Sequence, residues 1–150
     1  MSLALLKNFP EWANFLQILP SEEGFFFVIN VDAPNKKNKL SLTITTEFNE
    51  ELTVIFASHH WHFESVENKN VHDGIVHLIH QILNEKLVIV SYLCNNDEII
   101  RDGIFASIAI PSDSLPKENR EYFYASSMQI RSWVGTFDSD FLAPYINTPA

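Results

Sequence analysis

LSLTITTEFNEELTVIFASHHWHFE, residues 40–64, decides the fold. Leu40, Leu42, Ile44, Thr46 and Phe48 alternate with Ser41, Thr43, Thr45 and Glu47. A period of two puts one set on an apolar face and the other toward water, which is a half-buried strand. Asn49-Glu50-Glu51 reads as a turn, and Leu52 to Glu64 returns as one long strand. Two strands joined by so short a connection must run antiparallel.

Toward the N-terminus, Phe25 to Val31 is rich in β-formers and predicts a further strand, with the polar run 32–39 as a loop. In residues 3–18, Leu5, Leu6, Phe9, Trp12, Phe15, Leu16 and Leu19 recur at spacings of three and four. That spacing predicts one or two short amphipathic helices broken near Pro10, and Pro20 to Gly24 ends them. Toward the C-terminus, Val71, Ile75, Leu78, Ile79, Ile82 and Leu83 form one apolar helical stripe. Asn70 or His72-Asp73 starts this helix and Asn84 or Glu85 ends it. Leu87 to Cys94 is a nearly continuous apolar run, hence a central strand. Asn95-Asn96-Asp97 signals a turn, and Glu98 to Ile110 pairs back with a bulge near Gly103. Pro111 to Asn119 reads as a polar loop, Glu121 to Val134 as a last long strand, and Gly135 to Ala150 as a tail with little regular structure.

The expected architecture is α+β: a mostly antiparallel sheet of about six strands, a central amphipathic helix packed on one face, and a short N-terminal helix. The chain has 150 residues, enough for one domain, 1–150, with its own core. Cys94 is the only cysteine, so no intrachain disulfide forms. The opening stretch does not read as a signal peptide, and no run approaches the roughly 18 apolar residues of a membrane span. A cytoplasmic location is the expectation.

Nineteen carboxylates against ten Lys and Arg give a formal net charge of −9. That balance repels nucleic-acid phosphates and anionic membranes, and it attracts a basic protein. It also serves solubility alone. No GxSxG motif and no glycine-rich phosphate loop is present, and the chain holds four glycines in all. Cys94 has no activating signature around it. The carboxylate pairs Glu22-Glu23, Glu50-Glu51 and Asp97-Glu98 sit in turns, where solvated charge is ordinary.

All six histidines fall between His59 and His80. On a continuous strand, His60, His62 and Glu64 share one face with Leu52, Val54, Phe56 and Ser58, while His59, Trp61 and Phe63 point the other way. An HxH pair with a carboxylate two residues on is able to bind zinc or another divalent ion. Of the helix histidines only His72, at its start, approaches this pair. His77 and His80 lie on the polar side. A metal-dependent enzyme or metal-binding module is therefore one reading, with a metal-bound water as nucleophile; a polar strand end beside a solvated helix face is the other.

In the segment Ile130 to Asp138, Arg131, Trp133, Gly135 and Phe137 alternate on one face. Arg beside Trp builds cation–π surfaces and anchors protein interfaces. The candidate partner-binding set is Trp61, Phe63, Arg131, Trp133 and Phe137, with Asp138 and Asp140 as rim charges. The structural alternative places Trp133 in the core and pairs Arg131 with a carboxylate.

SHHWHFES, IHQILNEKLVIVSYLC and IRSWVGTFDSDF together resemble small bacterial immunity-type domains associated with toxin genes. The resemblance covers roughly residues 55–140, with Phe137 where Tyr is expected. It implies no defined activity. Together with the acidic balance and the lack of catalytic motifs, it leads to the expectation of a non-catalytic, immunity-like protein that masks a basic toxin or other protein partner through an acidic and aromatic surface. The sequence leaves the oligomeric state open.

Overall fold

The computed structural model describes residues 2–22, 24–47, 51–64, 68–93, 104–116 and 125–142. Helix α1 (Ser2–Asn8) gives way to a 3-10 turn (Pro10–Phe15) led by Pro10, whose missing N–H is no loss at a helix start. Leu5, Phe9 and Trp12 point inward, and the rings of Phe9 and Trp12 stack at 4.3 Å. The expected helix does not continue to residue 18. Leu16–Ser21 is instead strand β1, which pairs with β2 (Gly24–Asp32). Leu16 and Leu19 fit a helical spacing, but edge pairing along β2 overrides that local preference.

β3 (Ser41–Glu47) follows the loop that the sequence predicts, and β4 (Glu51–Phe56) follows β3. The strand expected over 52–64 breaks at Ala57-Ser58, and β5 (His59–Phe63) folds back antiparallel on β4. Ala57 takes φ 53° in this two-residue turn, a left-handed conformation that usually falls to Gly or Asn. No Gly, Pro or Asn marks the position, so the run reads as unbroken. The turn inverts the phase of everything after it. Phe56 now faces His59, Val54 faces Trp61 and Leu52 faces Phe63, while Thr53 faces His62 and Ile55 faces His60. Paired residues share a face. His60 and His62 therefore lie opposite to the Leu52, Val54, Phe56 line, not along it, and Trp61 and Phe63 lie with it.

The first sheet has the order β1-β2-β3-β4-β5, and all its pairings are antiparallel. Its inner face is the row Leu16, Ile29, Ile44, Val54, Trp61 together with Val31, Leu42, Phe56, His59. Helix α2 (Lys69–Leu83) covers that face with Ile75, Ile79 and Ile82, as its stripe predicts. Each fully buried Ile, Leu or Phe contributes about 1.5–3 kcal/mol of burial energy. Asn68 caps the helix, its side chain accepting from Asn70 N–H at 2.9 Å; Asn84 closes it.

β6 (Leu87–Leu93) is central, as expected, in a second sheet of order β7-β6-β8-β9. β7 is Ile104–Pro111, β8 Ser127–Arg131 and β9 Ser139–Leu142. β6 separates two cores. Ile89 joins the helix-covered core, whereas Val88, Val90 and Tyr92 pack with Met128, Ile130 and Ala125.

The architecture is thus mixed helix and antiparallel sheet, but with two sheets of five and four strands among the described residues rather than one of about six. The tail expected after Gly135 contains β9, whose pairing with β8 supplies the order that its sequence pattern lacks. The strand expected over 121–134 is confined, in its described part, to β8. Cys94, the 95–97 turn, Gly103 and most of the loop after residue 116 lie outside the described residues. Among the described residues no helix is long and apolar enough to cross a membrane.

Candidate functional site

The late segment is a built loop. Ser132–Asp138 leaves β8 and returns as β9, and its polar groups bond inward. Asp138 Oδ1 accepts from Ser132 N–H at 2.8 Å, and Oδ2 accepts from the side-chain amides of Asn35 at 2.7 Å and Asn38 at 2.5 Å. Asn35 Oδ1 in turn accepts from Lys37 and Asn38 N–H, so one Asn locks the β2–β3 loop onto the late loop. Gly135 has φ 92°, and a Cβ there would stand 2.9 Å from Asn35 Oδ1. Burial pushes the Asp138 carboxyl up, but hydrogen bonds from Asn35, Ser132 and Asn38 and the nearby Arg131 outweigh it and hold it below the ordinary carboxylate value.

Glu85 is a second staple. It adopts φ 52° just after α2, in the left-handed position that commonly ends a helix. From there Oε1 accepts from three successive backbone N–H groups, Val134 at 2.8 Å, Gly135 at 3.0 Å and Thr136 at 3.2 Å. Successive amides of this kind form an anion-binding concavity. Burial raises the Glu85 carboxyl, and bonds from Ser132, Thr136 and Val134 reverse the shift and carry it below the usual range.

Of the candidate anchors, Trp133 is only 8% exposed and packs its ring 5.8 Å from Phe56. Phe137 is half-buried against the second core. Arg131 donates to the Ile130 and Ser139 carbonyls and pairs with Asp140 at 2.7 Å. Trp61 and Phe63 pack against the first core. Only Asp140 of this set is mostly exposed. The structure therefore disperses the set: Trp61 and Phe63 belong to β5, and the rest to the late loop and its flanking strands.

The histidines divide. His59 joins a polar seam between the sheets. Its Nδ1 lies 3.0 Å from Ser107 Oγ, Ser107 donates to the Ser58 carbonyl at 3.1 Å, and the Ser58 and Ser91 hydroxyls are bonded to each other. Burial first, and then the neighbouring His60, lower its pKa below the ordinary imidazole value. His60 and His62 stand on the open face with rings 4.9 Å apart and nearly perpendicular, and His62 pairs with Glu51 and lies 3.2 Å from Thr53 Oγ1. Glu64 is exposed. His72 is in the first turn of α2 with Nε2 buried and, among the described residues, without a hydrogen-bond partner. His77 and His80 are exposed, as the helix phase predicts. Among the described residues no group of three or more His, Cys, Asp or Glu is placed to hold a metal ion.

Two surfaces are left that residue-by-residue reading missed. The outer face of the first sheet is lined by Gln17, Val28, Thr45, Thr53 and His62 in one row and Asn30, Thr43, Ile55 and His60 in the next, with Asp32 and Glu51 at its ends. α1, the 3-10 turn and α2 all pack on the opposite face. The β1–β2 hairpin exposes Ile18, Leu19 and Phe25, and Phe15 is exposed at the end of the 3-10 turn just before it. The alternation in β3 already signalled the first surface, but only the pairing joined its rows. No family model, curated protein or solved structure matches this chain.

Proposed function

We propose that this protein is a non-catalytic binding domain that holds a basic protein partner on the outer face of its five-stranded sheet. One observation carries the reading: the strand positions of that face hold Asp32, Glu51, His60 and His62 among Thr, Asn and Gln and the apolar Leu19, Phe26, Val28 and Ile55, and no Lys or Arg. A sheet face of one charge sign steers and orients an oppositely charged partner. The overall charge of −9 adds to the same field. The resemblance to immunity-type domains supports the same class of partner. The late loop contributes by bracing the sheets, since its Asp138 and Trp133 are engaged within the chain.

The test is co-expression with the product of the neighbouring gene, followed by calorimetric titration of the purified pair. A complex is expected whose affinity falls at least tenfold between about 0.05 and 0.3 M salt, as screening of a charged interface requires. Asp32→Lys and Glu51→Lys are each expected to weaken it tenfold or more. Absence of any stable complex, or one indifferent to both substitutions and to salt, overturns the reading.

A further inference from the structure

The first sheet ends in β1 on one side and β5 on the other. The β5 end lies beside β7, joined by the His59, Ser58 and Ser107 seam. No described strand pairs with the outer edge of β1. Exposed edges are normally guarded by charges, bulges or proline, because free N–H and C=O groups recruit other strands. β1 reads Leu16-Gln17-Ile18-Leu19-Pro20-Ser21, with no charge in it; Pro20 is its one guard and withholds a donor only near the strand's end, leaving the groups of Leu16 and Ile18 open. Around it Ile18 is 64% exposed, Phe25 78%, Phe15 45% and Leu19 37%. An apolar, uncharged edge of this kind matches another uncharged edge better than it matches a basic surface.

The strand geometry fixes how it would pair. Phe27 N–H donates to Thr46 Oγ1 at 3.1 Å, so it points toward β3 and away from β1. Its β1 partner Ile18 therefore turns its own N–H and C=O to the free edge, as does Leu16, while Pro20 presents only its C=O there. A two-fold axis normal to the sheet pairs β1 with itself antiparallel and keeps each face on its own side. Ile18 opposite Ile18 of the second copy makes both reciprocal bonds, and each Leu16 N–H reaches the opposing Pro20 carbonyl. Shifting the centre to Leu19 sets Pro20 against Ile18, and half of those bonds lack a donor.

We propose that two copies of this chain join through β1 in the Ile18-centred register, forming one continuous antiparallel sheet of ten strands. This goes beyond the binding of a basic partner and does not depend on it. The four exposed apolar side chains amount to roughly 400 Å² per copy, taking about 150–250 Å² for a large side chain. With the strand backbones added, full coverage of these side chains sets an upper bound of about 1,000 Å² for the pair, the size that specific interfaces need. Each copy carries −9, so salt favours association here, whereas salt weakens the complex with a basic partner. The two outer faces stay on one side and present a doubled binding surface.

Sedimentation of the full chain at about 100 µM, at about 0.1 and 0.5 M salt, tests this. The expected mass is twice 17.2 kDa, with the dimer fraction rising with salt. Ile18→Lys is expected to be monomeric with an unchanged circular-dichroism spectrum. Ile18→Cys, in a Cys94→Ser background, is expected to cross-link under mild oxidation. Facing Cα atoms in a hydrogen-bonded pair are about 5.5 Å apart, within disulfide reach. Gln17→Cys faces Leu19 and is expected not to cross-link. A wild-type mass of 17.2 kDa at both salt levels overturns the proposal. So does a dimer that survives Ile18→Lys, or equal cross-linking of Gln17→Cys and Ile18→Cys. If Ile18→Lys fails to fold, the cysteine pair decides.

Discussion

The Ser132–Asp138 loop and the β1–β2 hairpin are opposites in composition and in use. The loop and the strand end before it are rich in the residues that make binding sites, Arg131, Trp133 and Asp138, and these bond or pack within the chain. The hairpin is built of residues that make cores, and it leaves Ile18 and Phe25 in the open. Residue type is therefore a poor guide to exposure at either place. Polar side chains turn inward where backbone amides need acceptors, and apolar ones stay outside where the covering helices end.

That contrast predicts unequal costs of substitution. Asp138→Ala removes the acceptor for Ser132 N–H and for two side-chain amides, and it is expected to cost about 2–4 kcal/mol in urea unfolding. A cost below about 0.5 kcal/mol would place the loop with ordinary surface segments and remove the contrast.

Acidification sharpens the same comparison, because Asp138 and Glu85, in and against the loop, and His59, in the seam, have shifted pKa values. The Asp138 and Glu85 carboxyls are held low in the folded state. Their stabilisation is fully present above the unfolded value of about 4 and is lost as pH falls through the folded value. His59 is also held low, so the unfolded chain takes its proton first and stability declines once pH drops below about 6.5. Calorimetric melting points are expected to fall in two stages. His59→Gln should remove the upper stage, and Glu85→Gln should shrink the lower one. A melting point flat from pH 7 to about 5 contradicts the seam assignment.

The smallest effect is expected at the hairpin. Phe25→Ser should change stability by no more than about 0.5 kcal/mol, since the ring is already in water. A loss of about 2 kcal/mol or more in the dilute monomer would show Phe25 to be a core residue and erase the difference between the two regions.

Much of the fold was legible. The alternation in Ser41–Glu47, the apolar run Leu87–Leu93 and the stripe Ile75, Ile79, Ile82 each carry a period that admits one structure and one buried face. Three elements were not. β1 shares its leucine spacing with a helix, β9 has only four residues, and the β4–β5 turn uses Ala57 in a conformation with no sequence mark. The last of these mattered most for the candidate site, since one hidden turn exchanged the faces of His60 and Trp61.

The sequence by itself determined an acidic, aromatic, antiparallel α+β chain with one strongly amphipathic central helix. Those properties follow from composition and from periods of 2 and 3.6, which are local. Only the tertiary structure decided that there are two sheets, that His60 and His62 share an open face, and that Asp138 and Glu85 hold a loop in place. Each of those depends on which strand lies beside which, and pairing is settled by contacts between residues far apart in the chain. Thr53 beside His62 and Asn35 beside Asp138 are two such contacts.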